Sequence, residues 1–133
     1  MIRIGCIGDL TYENKRKIKE LLFKIKNKYN NDLEIITGGR RNGAETYIKK
    51  YALEFGMKYG EYNPANTVYN LYSKFQEDFY GKAFKGYYAS QRNSIMASNI
   101  DVAIIFSKDP NKSDIKNFIK HIENLGKPYK ILD

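Results

Sequence analysis

The amino-acid sequence predicts an α/β fold, in which helices cover both faces of a mainly parallel five-stranded sheet. Short apolar runs alternate along the chain with longer segments whose apolar residues recur about every three or four positions. Several of the apolar runs end at glycine or polar residues, as strands do where a turn leads into a helix. Because parallel neighbours need a helical crossover, this alternation favours βαβ units.

The first part of the chain supplies two strand–helix pairs. Residues 2–7 and 33–37 are apolar runs, and each is followed directly by glycine. Residues 12–29 place isoleucine and leucine at helical spacing. Residues 44–55 form a second predicted helix, with Gly56 as its expected C-cap.

The rest of the chain continues the same pattern. A third strand is predicted over 57–62, a fourth over 101–106 and a fifth over 129–132, with an amphipathic helix over 113–125. No repeat, linker or low-complexity tract divides the sequence. We therefore predict one domain, residues 1–133, with the architecture of a three-layer Rossmann-like sandwich.

Residues 63–88, here called the aromatic segment, are rich in tyrosine and phenylalanine and too long for a simple connection. Five of its apolar residues lie at helical spacing: Val68, Leu71, Tyr72, Phe75 and Phe79. This spacing predicts an aromatic-rich helical insertion that packs against the sheet or against a twin subunit, so we expect a homo-oligomer. The alternative is a lid or wall that offers an aromatic face to a base.

The composition predicts a soluble, cytoplasmic protein. The chain has 133 residues, of which 42% are hydrophobic, enough for a core of its own. No apolar run approaches the roughly 20 residues of a membrane span, and the first residues form a strand rather than a signal peptide. A single cysteine, Cys6, excludes a disulfide within the chain. We expect no membrane partner.

The net charge of +8 favours polyanionic partners, but its placement matters more than its sum. One predicted helix is crowded by Lys15, Arg16, Lys17, Lys19, Lys24, Lys26 and Lys28. The simplest interpretation of this helix is a solvated surface. Single-stranded nucleic-acid binding would combine such lysines with exposed aromatic side chains, and the sequence interleaves no aromatic platform with them.

The second strand leads into a glycine-rich turn that opens the next helix. The turn reads Thr37-Gly38-Gly39-Arg40-Arg41-Asn42-Gly43-Ala44-Glu45. Glycines permit close backbone approach, and the free amides and the dipole of a helix N-terminus attract anions. Arg40 and Arg41 could add bidentate contacts to phosphate. The turn matches neither a Walker A loop nor a Gly-x-Gly-x-x-Gly fingerprint, and a tight turn with surface arginines is the alternative.

Further candidate ligand residues follow other strands. In open parallel sheets, ligands bind beyond the carboxyl ends of the strands, near the point where strand order reverses. Gly8 and Asp9 follow the first strand, and Ser107 follows the fourth. Arg92 and Asn93 precede a short predicted helical stretch, 94–98, and a structural ion pair is the alternative role for this arginine.

Several short motifs occur in a fixed order. They are Thr37-Gly38-Gly39, Gly43-Ala44-Glu45, Ala52-Leu53-Glu54-Phe55-Gly56, Arg92-Asn93-Ser94-Ile95-Met96, and Asp101 through Phe106. With this set, the chain resembles the SLOG superfamily of Rossmann-like proteins, and within it the YspA-like, YpsA-related branch. That superfamily contains the DNA-processing proteins and the cytokinin-activating phosphoribohydrolases. The resemblance covers roughly residues 2–132.

The resemblance implies a nucleotide or nucleotide-derived ligand at Gly38-Gly39, with Arg92 and Asn93 contributing to the pocket. Glu45 stands where the branch usually has aspartate. The phosphoribohydrolases carry a Pro-Gly-Gly-x-Gly-Thr-x-x-Glu motif, and this chain lacks its proline, its threonine and its glutamate spacing. Hydrolytic activity is therefore not implied by the resemblance.

The predicted pocket is compatible with two alternative functions. In the first, the protein binds the phosphate and encloses the base without altering the ligand. Such a binder would sense or sequester a signalling nucleotide, including cyclic or ADP-ribose-type molecules. The alternative is a hydrolase of the N-glycosidic bond, in which Glu45 or Asp9 stabilises an oxocarbenium-like centre or activates water. Each carboxylate also has a structural alternative, as a helix-dipole partner or a helix cap. Single-stranded nucleic-acid binding is the second alternative.

Metal chemistry has little support in the sequence. His121 is the only histidine and Cys6 the only cysteine, so we predict no metal site built from such ligands. His121 is interpreted as a surface or packing residue. No cofactor is predicted, although Mg²⁺ could accompany a phosphate ligand.

Overall fold

The structure is a computed structural model that describes residues 1–133. Its strands are β1 (Ile2–Gly8), β2 (Leu33–Thr37), β3 (Lys58–Glu61), β4 (Val102–Phe106) and β5 (Tyr129–Leu132). Its α-helices are α1 (Lys15–Tyr29), α2 (Ala44–Glu54), α3 (Tyr88–Ser98) and α4 (Ser113–Asn124). The strands form one sheet in the order β3-β2-β1-β4-β5, and every neighbouring pair is parallel.

Helices cover both faces of this sheet, which confirms the predicted three-layer Rossmann-like sandwich. On one face, α1 and α2 bury Ile18, Leu22 and Ile48 in a core with residues of β1 and β2. On the other face, Met96 of α3 and Phe118 of α4 belong to a second core. Every residue of β2 is buried, as expected for a central strand of a parallel sheet that is covered on both sides.

The order of the strands reverses between β1 and β4. The chain runs from β1 outwards to β2 and β3, and it then returns to the other side of β1 for β4 and β5. The register pairs Gly8 with Phe106, so Asp9 and Ser107 leave the sheet side by side. We call the space beyond these two strand ends the switch-point crevice, the usual ligand position in open α/β sheets.

The first helix begins at Lys15 rather than at the predicted Tyr12. The side chain of Asn14 accepts a hydrogen bond from the Lys17 amide and so caps the helix. Asp9, whose alternative role from the sequence was a helix cap, instead accepts hydrogen bonds from Ser107 and the Lys108 amide. With 15 residues, α1 is the longest helix, and none of the helices has the length and apolar character that crossing a membrane requires.

The third helix begins at Tyr88, well before the predicted stretch 94–98. Arg92 and Asn93 therefore lie inside α3, and both are buried. Apolar spacing indicated only the second half of this helix, because its first half buries polar side chains that no hydrophobic pattern marks. This helix carries the arginine towards the carboxyl edge of the sheet.

The aromatic segment is not the helical insertion that its spacing predicts. It contains one 3-10 turn, Glu77–Phe79, and is otherwise irregular. Its backbone instead forms hydrogen bonds with the edge of the sheet. The Glu61 amide donates to Tyr72 O (2.8 Å), and the Lys74 amide donates to Glu61 O (2.7 Å). The aromatic side chains pack on one another, as in the stacked pair Phe75 and Phe79, whose ring centroids lie 4.1 Å apart. The segment therefore covers the outer edge of β3.

Candidate functional site

The glycine loop, residues 38–43, connects β2 to α2 and packs against the end of β1. Gly39 and Gly43 adopt left-handed backbone angles, with φ of 72° and 75°. A Cβ atom on Gly43 would collide with the backbone of Asp9 and Leu10. The Ala44 amide donates to Asp9 O (3.1 Å). Glycine is thus required where α2 begins, because the loop lies directly on the β1 terminus.

Glu45 supplies an internal anion to the glycine loop. Its Oε1 accepts hydrogen bonds from the amides of Gly38 (2.8 Å) and Arg40 (3.4 Å), and its Oε2 lies 3.6 Å from Arg40 Nε. Burial raises the pKa of this carboxyl, and the guanidinium groups of Arg92 and Arg40 partly offset that rise. These two amides, which the sequence indicated for phosphate, are therefore already engaged.

Arg92 forms hydrogen bonds with the glycine loop from the opposite side. It reaches across 54 positions of sequence to donate to Gly38 O, and it also donates to Tyr62 O at 3.4 Å. Its Nε donates to Asn93 Oδ1 at 2.9 Å. Burial lowers the pKa of the Arg92 guanidinium, and the nearby Glu45 carboxylate opposes that change. The arginine thus satisfies buried carbonyl oxygens and balances a buried carboxylate.

Residues of the chain itself fill the switch-point crevice. Ser107 Oγ donates to Asp9, with distances of 2.9 and 3.0 Å to the two carboxylate oxygens, and the Lys108 amide donates to the same group at 3.0 Å. Arg40 forms an ion pair with Asp114 across the crevice. The space left beneath this pair is about 10 Å³, no more than one water molecule needs.

Two open clefts lie on the other side of the glycine loop, between it and the aromatic segment. The cationic cleft, about 240 Å³, is lined by Gly39, Arg40, Arg41, Thr46, Lys49, Glu61, Asn63, Thr67, Val68 and Asn70. The aromatic cleft, about 250 Å³, is lined by Gly38, Gly39, Arg40, Arg41, Pro64, Asn66, Thr67, Phe84, Tyr88, Ala89 and Arg92. Gly39, Arg40 and Arg41 line both, so the two clefts adjoin at the middle of the loop.

Arg41 is the free cation of these clefts. Its side chain is exposed and forms no ion pair, although it lines both clefts. By contrast, Arg40 pairs with Asp114, Lys49 Nζ lies 2.8 Å from Glu61, and Arg92 is committed to backbone carbonyls. An incoming anion would therefore find its unsatisfied partner at Arg41.

Glu61 is the only carboxylate that lines either cleft, and it is not among the site residues predicted from the sequence. Its two oxygens accept hydrogen bonds from Tyr59, Asn63 and Asn70 and contact the Lys49 ammonium. Burial opposes ionisation, but the bonds from Lys49 and Asn70 outweigh it and lower the pKa of Glu61. Its position at the end of the third predicted strand was the available signal, because strand ends meet at the ligand edge.

A hydrogen-bonded chain connects Glu61 back to the glycine loop. The Gly39 amide donates to Thr37 Oγ1 (3.1 Å), which bonds to Tyr59 OH (2.7 Å), and the tyrosine donates to Glu61 (2.9 Å). Burial raises the pKa of Tyr59, so it remains a donor. The position of the loop and the ionised state of Glu61 are thus held by one network.

The structure separates the predicted site residues into two groups. Gly38, Gly39, Arg40, Arg41 and Arg92 line the open clefts. The other predicted residues line neither cleft, and they are Gly8, Asp9, Asn42, Gly43, Ala44, Glu45, Asn93 and Ser107. The predicted site residues do not include the polar wall of the cationic cleft, which is formed by Thr46, Lys49, Glu61, Asn63, Thr67 and Asn70.

Two further concavities include no residue of the glycine loop. One, about 390 Å³, lies along the outer side of α4, and the other, about 230 Å³, lies between the end of α1 and the start of β3. No group of three or more His, Cys, Asp or Glu side chains is arranged to hold a metal ion. Comparisons with protein-family models, with curated proteins and with solved structures found no match to this chain.

Proposed function

We propose that the chain binds a nucleotide or nucleotide-derived small molecule in the paired clefts, and acts as a sensor or sequestering protein. The observation that carries this proposal is the position of Arg41. This unpaired cation lies on the shared edge of a cleft with polar and cationic walls and a cleft with aromatic walls. A nucleotide has the matching polarity, with an anionic phosphate at one end and a flat base at the other.

The phosphate end belongs in the cationic cleft. Arg41 can offer two parallel N–H groups to phosphate oxygens, the geometry that favours arginine in phosphate sites. Lys49 and Thr46 lie on the same wall. The amides of Gly38 and Arg40 are satisfied by Glu45, so the phosphate is expected beside the loop rather than above the start of α2.

The base belongs in the aromatic cleft. Phe84 is 77% exposed and Tyr88 is buried, and both line this cleft together with Pro64. An exposed aromatic ring gains by stacking on a base, since the contact removes apolar surface from water. Together the clefts fall in the range of about 300–1,000 Å³ that is typical of small-molecule sites.

Binding without turnover is favoured over hydrolysis of the N-glycosidic bond. A hydrolase would need a carboxylate free to act on the sugar or on water. Glu45 and Asp9 are buried acceptors of internal hydrogen bonds and line neither cleft. Glu61 lines the cationic cleft but already has four donors around its two oxygens.

We also propose membership of the SLOG superfamily, in its YspA-like, YpsA-related branch. The proposal rests on the motif order in the sequence. It is supported by the way in which three of these motifs meet at one residue, Gly38. Its amide donates to Glu45 of the Gly43-Ala44-Glu45 turn, and its carbonyl accepts from Arg92. Motifs that are far apart in sequence thus serve one structural unit.

The proposal is tested by mass spectrometry of small molecules released from heated, purified protein. A parallel thermal-shift screen would use mono-, di- and cyclic nucleotides and ADP-ribose compounds. We expect an intact nucleotide to be recovered, and Arg41→Ala to reduce both the recovery and the thermal shift. Arg16→Ala is the matched control, because Arg16 is an exposed arginine on α1, remote from the clefts. Recovery of free base with ribose phosphate would favour the hydrolase, and no ligand and no shift would contradict the proposed site.

A further inference from the structure

The positive charge of the molecule is concentrated on α1. This helix carries seven Lys or Arg residues and one Glu, which amounts to +6 of the net charge of +8. Among its cations, only Arg16 forms an ion pair, with Glu20 on the same helix. Uncompensated charge of one sign repels itself, and a polyanion that binds along the helix relieves this repulsion.

The second helix adds an aromatic row to this charged surface. Phe23 of α1 is 53% exposed and meets Phe55 edge-on, with ring centroids 5.9 Å apart. Phe55 stacks on Tyr51 at 6.2 Å. The ammonium groups of Lys19 and Lys50 lie 5.6 and 5.4 Å from the centroid of the Tyr51 ring. Tyr51 is itself buried, so the accessible rings are Phe23 and the partly exposed Phe55. Lysines thus surround a small aromatic patch where α1 meets α2, contrary to the expectation from the sequence of α1 alone.

We propose that this surface, the basic face (Lys19, Phe23, Lys26, Lys50, Tyr51 and Phe55), binds single-stranded nucleic acid. Proteins hold single strands by combining cations that follow the phosphates with aromatic side chains on which bases stack. Phe23 is the exposed ring here, with Lys19 four positions before it and Lys26 three after it on the same side of the helix. Lys26 Nζ already donates to Phe55 O, so the exposed Lys19 and Lys50 are the cations offered to phosphate. Bases inside a duplex are not free to stack on Phe23, so the single strand is the matching partner.

The basic face is separate from the clefts proposed for the nucleotide. The second helix has 11 residues and is about 16 Å long. Its first turn lies beside the cationic cleft, and Phe55 follows its last turn. The two proposals therefore stand or fall independently, and Arg41→Ala should leave binding at the basic face unchanged.

Fluorescence anisotropy with labelled oligothymidylate, measured over a salt series with the full chain, tests this proposal. We expect Lys19→Glu with Lys50→Glu to weaken binding about tenfold or more, and to reduce the slope of log K against log salt by about 0.7 for each lysine lost. Phe23→Ala should weaken binding about fivefold, the effect of losing one stacked base. An unlabelled duplex should compete poorly.

The matched control is Lys116→Glu with Lys120→Glu, which makes the same charge change at exposed positions on α4, on the opposite face of the sheet. This pair should bind the oligonucleotide like the wild type, and thermal melting should show that all variants remain folded. Equal loss in both lysine pairs, or unchanged binding by Phe23→Ala, would overturn the proposal. So would co-sedimentation with phosphatidylserine vesicles in the absence of oligonucleotide binding, since that result would identify a membrane surface instead.

Discussion

The switch-point crevice and the paired clefts lie on opposite sides of the same glycine loop, and their charges are arranged in opposite ways. In the crevice, Asp9 accepts a hydrogen bond from Ser107, and Arg40 forms an ion pair with Asp114. The space beneath this ion pair is enough for about one water molecule. Beside the clefts, Arg41 has no partner, and about 240 and 250 Å³ of space lie open. Charges that are paired inside the fold stabilise it, whereas a charge left unpaired at an open cleft is available to a ligand.

This difference shows how the usual ligand position can move within a common architecture. In an open α/β sheet the ligand lies at the reversal of strand order, because the flanking loops diverge there. In this chain, that position is closed by side chains that follow β1 and β4 and by an ion pair between the glycine loop and α4. The aromatic segment builds a new wall beyond β3, so the open space moves to the adjacent strand ends. Mutations in the two regions should therefore have separable effects.

Replacing Arg92 should produce the largest loss of stability. Arg92→Ala removes a buried guanidinium near the Glu45 carboxylate, which keeps only Arg40 as a nearby cation, and it removes the donor to the carbonyl oxygens of Gly38 and Tyr62. We expect the free energy of unfolding to fall by about 3 kcal/mol, because two buried carbonyl oxygens lose their charged donor and a buried carboxylate loses a nearby cation. Urea denaturation followed by circular dichroism measures this loss. Arg41→Ala, on the exposed part of the same loop, should unfold like the wild type, and equal stability of the two variants would contradict the comparison.

Replacing Asp9 should have a smaller effect of the same kind. Asp9→Ala leaves Ser107 Oγ and the Lys108 amide without their common acceptor. The expected loss is about 2 kcal/mol, the cost of unsatisfied buried donors next to a removed carboxylate. Asp9→Asn keeps one acceptor oxygen and should lose less, as measured in the same denaturation experiment. If Asp9→Ala instead abolished ligand binding without destabilising the protein, Asp9 would belong to the binding site.

Glu61 should give the smallest of these effects, visible as a dependence on pH. Its pKa is lowered in the folded state, so its contribution to stability is present above the ordinary value of 4.5 and is lost as the pH falls through the lowered value. Glu61→Gln removes this titration. Denaturation at neutral and acidic pH should show a smaller acid-induced loss for Glu61→Gln than for the wild type. Identical slopes against pH would show that Glu61 is not held ionised by its neighbours.

Much of the fold follows from local pattern. The alternating strands and helices, the parallel sheet and the glycine turn before α2 were all predicted, because they depend on spacing within a few residues. The aromatic segment shows the limit of this approach. Its apolar residues repeat at helical intervals, but its backbone groups pair with β3 and its rings pack on each other, contacts that no local period describes.

The site was predictable in part for the same reason. The glycine loop is a local motif, and its residues Gly38 to Arg41 do line the open clefts. The state of each charge was not predictable, because it depends on distant partners. Arg92 meets Gly38 from 54 positions away, and Arg40 is neutralised by Asp114 from another helix. Of three arginines suggested by sequence, only the structure distinguishes the free Arg41 from its committed neighbours.

The most direct test titrates one nucleotide panel into three proteins, the wild type, Arg41→Ala and Asp9→Ala, by isothermal calorimetry. The panel contains mono-, di- and cyclic nucleotides and ADP-ribose, and urea denaturation is measured on the same samples. We predict that Arg41→Ala weakens binding about tenfold or more, the value of a charged hydrogen bond, and keeps wild-type stability. Asp9→Ala should lose stability and keep wild-type affinity. The opposite result, with affinity lost in Asp9→Ala and retained in Arg41→Ala, would place the ligand in the switch-point crevice and contradict this account.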